Sequence, residues 1–319
     1  MNVIDWLVSL DPAIASMTRR DLLEESEIRN EWNQSLAEKP GIVSRILSCV
    51  DSTTKMWGGG IYSPKYKSTH YTLMDLTFLG IDPTDVHYQE GIHLVSNAMW
   101  PPLGLVRKNH YQDMCVSAMM LGMLAYGHSL SPKVNELVDY LIKGQMADGG
   151  FNCLWQKVPR PNSSSLHTTL SVLEAIDKYI RCGYLYRMNE VFALIQPAVE
   201  FVLTKRMFRS VRTGNIIHPD MLAWRFPSGW KYSIIRCLDC FQSLDIPYDS
   251  RMEEAIHYLV EHADEYGRLP AIAPHPGQYH FRYESTKGPS AFNTLRLCRI
   301  VKKYRPNVWN HWISKGIKQ

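Results

Sequence analysis

What the chain has too little of narrows it first. No apolar run approaches the roughly 18 residues a helix needs to span a bilayer, so a membrane-spanning protein is not expected. The opening residues Met1-Asn2-Val3-Ile4-Asp5-Trp6 lack a basic segment and meet an acid at Asp5, so no secretory signal peptide is expected. Seven cysteines, an odd number scattered over 319 residues, do not make a disulfide framework. They suit reduced thiols, and the expected location is cytoplasmic. A net charge of +4, with Lys and Arg spread along the chain, leaves no electrostatic footprint for nucleic acid. Strand-like alternation of apolar and polar residues is nearly absent.

What is there is helical. Apolar content of 45% and charged content of 21% describe a chain with a sizeable core. Val134, Leu137, Val138 and Leu141 form an apolar stripe at helical spacing, and Ile256, Leu259, Val260 and Ala263 form another. Gly and Pro punctuate the segments at Trp57-Gly58-Gly59-Gly60, Trp100-Pro101-Pro102, Asp148-Gly149-Gly150, Pro219, Pro227-Ser228-Gly229 and Pro274-His275-Pro276-Gly277.

The most informative stretch is Tyr140-Leu141-Ile142-Lys143-Gly144-Gln145-Met146-Ala147-Asp148-Gly149-Gly150-Phe151. It is a helix end, a Gln and a tight turn that delivers an aromatic ring. Degraded copies recur, which marks a helical repeat. Tyr258-Leu259, Gly267 and Leu269 keep the spacing with Ala263 in place of the Gln, and Phe201-Val202 keeps only the opening pair. After each amphipathic helix and loop comes a more uniformly apolar helix. These begin near Ser68-Thr69-His70, Asn109 to Asp113, Ser165-Leu166-His167, Trp230 to Ser233 and Pro289-Ser290-Ala291. Thr-Leu recurs at Thr72-Leu73, Thr169-Leu170 and Thr294-Leu295. An apolar-all-round helix must be buried on both sides. Antiparallel pairs meet that demand by closing into a double ring. The predicted fold is therefore all-α, an α/α toroid with the apolar helices inside. Residues 45–319 supply about five helix-pair repeats, and residues 1–44 read as an N-terminal helical cap.

The repeat resembles that of the terpenoid cyclase and protein prenyltransferase superfamily: an aromatic-aliphatic pair, a Gln four residues on, then a Gly and an aromatic. Here Tyr140-Leu141, Gln145, Gly149 and Phe151 carry the pattern over roughly residues 45–305. The chain looks most like the small single-ring, prenyltransferase-like or squalene-cyclase-like members. The resemblance implies a central funnel that holds an isoprenoid and a transferase or cyclase activity. It also implies a small hydrophobic, diphosphate-bearing substrate.

The superfamily's catalytic signatures are missing. There is no Asp-x-Asp-Asp acid, since Asp82-Pro83-Thr84-Asp85 and Asp245 to Asp249 have the wrong spacing, and no Asp-Asp-x-x-Asp for magnesium. In the run Gly229-Trp230-Lys231-Tyr232-Ser233, Gly229 and Lys231 stand where prenyltransferases place the zinc Asp and Cys. A protonated Lys is no zinc ligand, so neither metal nor other cofactor is expected. Tyr232, by the same resemblance, helps hold diphosphate. Cys237-Leu238-Asp239-Cys240 lacks a second pair and reads as two thiols one turn apart on a buried helix. His257 and His262 have no zincin spacing and read as solvent-facing residues of an outer helix.

The candidate site is a set of polar residues at or near the starts of the apolar helices, where backbone N–H groups are free. His70 or His167 would act as general acid or base, with Asp113 or Glu284 as partner. Arg225, Trp230, Lys231, Tyr232, His280, Arg282 and Tyr283 would bind substrate, the cations taking an anionic head. The segment Gln278 to Glu284 is unusually rich in aromatic and ionisable side chains for a loop. Two other functions fit the same residues. A carbohydrate-active α/α barrel would use clustered carboxylates and aromatic platforms, Asp113 with Glu284 near Trp and Tyr. A non-catalytic binding or scaffold protein would keep the ring without the chemistry. Trp309-Asn310-His311-Trp312 would serve as a packed C-terminal cap, with peripheral membrane contact as the alternative.

Overall fold

The computed structural model describes every residue except 26–35, 101–104, 108–109, 158, 160 and 316–319. The Pro101-Pro102 break and Asn109 lie outside the described residues. The helices in chain order are α1 (Val3–Val8), α2 (Pro12–Asp21), α3 (Ile42–Leu47), α4 (Thr69–Leu79), α5 (Val86–Met99), α6 (Met114–Tyr126) and α7 (Lys133–Gly144). They continue with α8 (Leu166–Arg181), α9 (Met188–Thr204), α10 (Ile234–Ser243), α11 (Glu253–Glu261), α12 (Ala291–Tyr304) and α13 (Pro306–Ser314). A short antiparallel ribbon pairs Leu105–Arg107 with His110–Tyr111. Among the described residues no helix is long and apolar enough to cross a membrane.

The helices form an α/α toroid. The inner ring runs α2, α4, α6, α8, α10, α12, each packing on the next, and α12 closes it against α2. Residues 12–21 of the N-terminal segment thus stand in the ring wall. Outside lie α3, α5, α7, α9, α11 and α13, each against the inner helix that follows or precedes it. The pattern of burial explains the division. In α6, Met114 and every residue from Val116 to Ala125 are buried, and such a helix needs partners on all sides. In α7 only Val134, Leu137, Val138, Tyr140, Leu141 and Gly144 are buried, one stripe on an otherwise polar cylinder. At Gly122 a Cβ would sit 3.6 Å from the Ala175 backbone, so these small residues let α6 and α8 approach closely.

One device joins outer turn to inner helix in three repeats. The N–H of Phe151, delivered by the Asp148-Gly149-Gly150 turn, donates to Thr169 Oγ1 at 3.0 Å. The Trp57 N–H donates to Thr69 Oγ1 at 3.1 Å and the Leu269 N–H to Thr294 Oγ1 at 3.1 Å. The repeat register of Thr169 and Thr294 is as the Thr-Leu pattern placed it. In the first repeat Thr69, not Thr72, takes that place. Gln145 Nε2 donates to the carbonyls of Gly149 and Leu194, at 2.9 and 3.0 Å, so it satisfies backbone acceptors in the turn after α7 and in the neighbouring α9.

Gly149 has φ of +85°, and a Cβ there would lie 2.4 Å from the Pro197 carbonyl oxygen. Gly149→Ala should therefore destabilise the protein by about 2 kcal/mol or more, from the left-handed backbone and the contact with an unyielding main chain. A shift in the urea midpoint checks this, and an unchanged midpoint contradicts it. Trp309 and Trp312 are buried in the C-terminal corner, packed as a cap, with the Trp312 ring against Gly267.

Candidate functional site

The inner helices begin at one face of the ring, and the loops that lead into them meet there. Their interlocking is aromatic. Tyr66 fits between Gly229 and Gly277, where a Cβ would come within 2.4 Å and 2.8 Å of its ring. It stacks on Tyr279 with centroids 5.6 Å apart and meets Tyr71 edge-on at 5.0 Å. Main-chain bonds fix the same contact, Tyr66 N–H to Gln278 O at 2.8 Å and Gln278 N–H to Lys65 O at 2.7 Å.

Beside this lock lies a polar cluster. The Tyr71 hydroxyl donates to Tyr62 Oη at 3.2 Å. The Lys65 ammonium sits 5.5 Å from the Tyr62 ring centre and 5.3 Å from that of Trp230, within cation–π range. Trp230 is tilted against His167 at 5.2 Å. Asp113, at the N-cap of α6, is close enough for its charge to raise the Tyr62 pKa, though burial is the larger cause and takes it to about 12. On the far side Lys231 and Arg225 face Asp220 at 3.8 and 3.7 Å. His167 Nδ1 accepts the Tyr232 N–H at 2.8 Å. Burial, then the charges of Arg236, Lys231 and His218, holds His167 at about 4, so its ring is neutral near pH 7.

Several polar atoms around this cluster are buried with no hydrogen-bond partner among the described residues: both ring nitrogens of His70, Ser68 Oγ, Trp230 Nε1 and His275 Nδ1. Each such atom costs roughly 1–3 kcal/mol when left unsatisfied, so their concentration at one face of the ring sets it apart from the satisfied core. His70 is fully buried between Tyr62 and Tyr71. Burial and then Lys65 lower its pKa to about 3.

The structure thus brings His70, Asp113, His167, Arg225, Trp230 and Lys231 to one mouth and takes the other expected residues elsewhere. Tyr232 is buried, with its hydroxyl donating to the Met207 carbonyl at 2.6 Å. Glu284 accepts the Ala291 N–H at 3.1 Å and caps α12, so it is no partner for either histidine. Burial raises its pKa. Tyr283 donates to Asp75 Oδ2 at 2.8 Å, His280 Nε2 meets Thr72 Oγ1 at 3.0 Å, and Arg282 is exposed. Sequence reasoning missed Asp75, Tyr62, Lys65 and Asp220. Burial, opposed by the Tyr283 bond and by Arg296, pushes the Asp75 carboxyl up to about 7. Its position on an inner helix, the one carboxylate among buried neighbours, was the available signal.

Deeper in the ring the interior is charged. Arg236 forks onto Glu174 between α10 and α8, with Nε to Oε1 at 2.6 Å. Asp239 on α10 meets Arg296 at 3.6 Å and Arg299 at 3.3 Å on α12, and Arg299 reaches Asp21 on α2. Among the described residues no group of three or more His, Cys, Asp or Glu is placed to hold a metal ion. Cys237 and Cys240 are buried, and burial raises both thiols, Cys237 to about 12. His257 is solvent-facing and pairs with Glu261, whereas His262 stacks on Tyr258 and Trp224. A surface cavity of about 390 Å³ lies between Arg206, Arg209 and Glu254, with none of the expected site residues in its lining.

Comparison with known proteins finds a likeness to a solved structure. A glycosyl hydrolase family 88 protein from Bacteroides vulgatus matches over 93% of this chain and 90% of its own, at 12% identity and a TM-score of 0.48. No family model matches the chain. No curated protein matches it either. The resemblance to terpenoid cyclases and prenyltransferases is corrected here, and with it the isoprenoid substrate, the diphosphate head and the transferase or cyclase activity. The interior gives the physical reason. An isoprenoid funnel needs an apolar lining, whereas Asp75, Arg236, Asp239, Arg296 and Arg299 stand on the inner helices, and an apolar chain cannot replace the polar partners such groups require.

Proposed function

We propose that the protein is a carbohydrate-active α/α-barrel enzyme that binds a saccharide at this mouth and cleaves a glycosidic bond. The observation that carries the reading is the cluster of buried, unpartnered polar atoms on His70, Ser68, Trp230 and His275, set among the rings of Tyr62, Trp230 and Tyr66. Sugar hydroxyls both donate and accept hydrogen bonds, and the apolar faces of a sugar ring stack on aromatic side chains. A site with these two kinds of surface fits that ligand better than a lipid or a bare anion. Lys65, Lys231 and Arg225 outnumber the acids near them and favour a saccharide bearing a carboxylate or sulfate.

Glycosidic cleavage by the usual route takes two carboxyl groups. Asp113, on the Tyr62 side, and Asp220, on the Lys231 side, are the pair we assign, Asp220 in place of Glu284. No cofactor enters this chemistry. The free state of all seven cysteines supports a reducing, cytosolic setting.

The test is a panel of neutral and acidic oligosaccharides, read by melting temperature and by release of reducing ends. Acidic members should stabilise the protein and be cleaved. Asp113→Asn and Asp220→Asn should each lower turnover by about 100-fold or more while the ligand-induced shift persists. Trp230→Ala should weaken the shift. If no saccharide stabilises the protein and none is cleaved, the reading fails.

A further inference from the structure

We infer that Cys153 and Cys115 form a redox-active thiol pair beside the mouth, in which Cys153 is attacked by hydroperoxides and Cys115 resolves the product to a disulfide. The inference is independent of the saccharide reading. Its basis is a contact that the sequence hides, because the two residues are far apart in the chain and belong to no Cys-x-x-Cys motif. Cys115 is the second residue of α6, and Cys153 lies in the turn after Phe151. Their sulfurs are 2.9 Å apart, within an ångström of the roughly 2.05 Å bond a disulfide needs. Both residues are partly open to solvent, unlike Cys237, Cys240 and Cys298.

The two sulfurs are not equivalent. Cys153 Sγ accepts the Cys115 backbone N–H at 3.3 Å, and it lies 2.9 Å from Cys115 Sγ and 3.4 Å from Thr168 Oγ1. It therefore sits at the open N-terminus of α6 as an acceptor, the surroundings that favour a thiolate. The Cys115 hydrogen bond is the main cause lowering the Cys153 pKa, burial and the Asp113 carboxylate opposing it. The same contact is the main cause raising the Cys115 pKa, with burial second. The other titratable groups facing the pair are Tyr62, Tyr71 and Asp113.

The chemistry balances without any group from outside except the peroxide. The Cys153 thiolate attacks the peroxide, the O–O bond breaks and an S–O bond forms. Sulfur loses two electrons, and the peroxide leaves as water or an alcohol after taking one proton. Cys115 sulfur then attacks Cys153 sulfur. The S–S bond forms, the S–O bond breaks, and hydroxide leaves as water with the Cys115 proton. The disulfide would tie the turn after Phe151 to the start of α6, next to Asp113 and Tyr62. A thiol reductant reverses it.

The experiment is peptide mass mapping of the full-length protein before and after hydrogen peroxide. The expected product is one crosslinked pair of peptides, joined through Cys115 and Cys153, lighter by two hydrogens and restored by dithiothreitol. In untreated protein at pH 7, iodoacetamide should modify Cys153 about tenfold faster than Cys115 or Cys49. In Cys115→Ala, dimedone should trap sulfenic acid on Cys153 because no resolving thiol remains. The inference is overturned if Cys115 and Cys153 stay separately alkylatable after peroxide. It is equally overturned if the crosslink joins other cysteines or if Cys153 is alkylated no faster than the rest. The mapping on unaltered protein decides the matter even if the variant folds poorly.

Discussion

Asp239→Ala should destabilise the protein by about 3 kcal/mol or more, read as a fall in the urea unfolding midpoint. The carboxylate serves two guanidinium groups, Arg296 at 3.6 Å and Arg299 at 3.3 Å, whose side chains are only 7% and 10% exposed. Removing one partner of a buried pair leaves the other charge desolvated and uncompensated, which typically costs roughly 3–5 kcal/mol. Arg299 keeps Asp21 and is partly spared. Arg296 keeps the Ser228 hydroxyl at 2.9 Å and the ring of Phe78 at 4.4 Å, but neither is a counter-ion. Burial already lowers its pKa to about 10, with Asp239 the leading opposing influence. Replacing both members, Asp239→Leu with Arg296→Met, should recover most of the loss, because well-packed apolar pairs often match buried ion pairs. The non-additivity of the two changes is the diagnostic. If Asp239→Ala costs less than about 1 kcal/mol, as exposed pairs do, the pair does not brace the ring.

The ring was legible because its determinants are local. Helical periodicity, the Gln145 position and the Asp148-Gly149-Gly150 turn each act within a few residues, and the structure shows Gln145 and Phe151 making the bonds such a unit needs. The same locality misdirected the functional reading. A turn that joins outer to inner helices states how pairs close, and it says nothing of what the closed ring contains. The contents are set by long-range pairs such as Arg299 with Asp21 and Tyr283 with Asp75, which leave no periodic trace. In Cys237-Leu238-Asp239-Cys240 the cysteines caught the eye, whereas Asp239 makes the contacts.

The site was half legible for a related reason. A polar residue at the start of an apolar helix can turn into the mouth or fold back to cap the helix, and the sequence does not distinguish these. His167 and Asp113 face the mouth. Glu284 folds back to the Ala291 N–H, although both carboxylates looked alike in the chain. Lys65 and Asp220 went unnoticed because they sit in loops whose paths depend on partners far away, Trp230 for one and Lys231 for the other.

Acid should unfold the protein well above the usual carboxylate range, with stability falling steeply from pH 6.5 to 4. Four histidines of the loops and inner-helix starts, His70, His167, His275 and His280, all have folded pKa values below the ordinary 6.5, at about 3, 4, 4 and 4, each mainly through burial. Above pH 6.5 both states hold the rings neutral and the histidines cost nothing. Below it the unfolded chain takes up protons that the folded chain refuses, so stability is lost as pH falls, down to about 3–4. His70, fully buried, contributes about 1.4 kcal/mol per pH unit across that window, and the partly open His167 and His280 contribute less. Asp75 acts in the opposite sense. Its folded value of about 7 lies above the ordinary 3.8, so between these limits the folded state holds a proton that the unfolded state has lost. That contribution declines as pH rises toward 7. Asp75→Asn should therefore steepen the acid loss, whereas His70→Leu should flatten it without harm at pH 7, because neither ring nitrogen has a protein partner to lose. Urea midpoints at pH 7 and 4.5 for the three proteins settle the point. Equal midpoints at both pH values in the unaltered chain would mean that these histidines protonate freely in the folded state and are not sealed among the mouth aromatics.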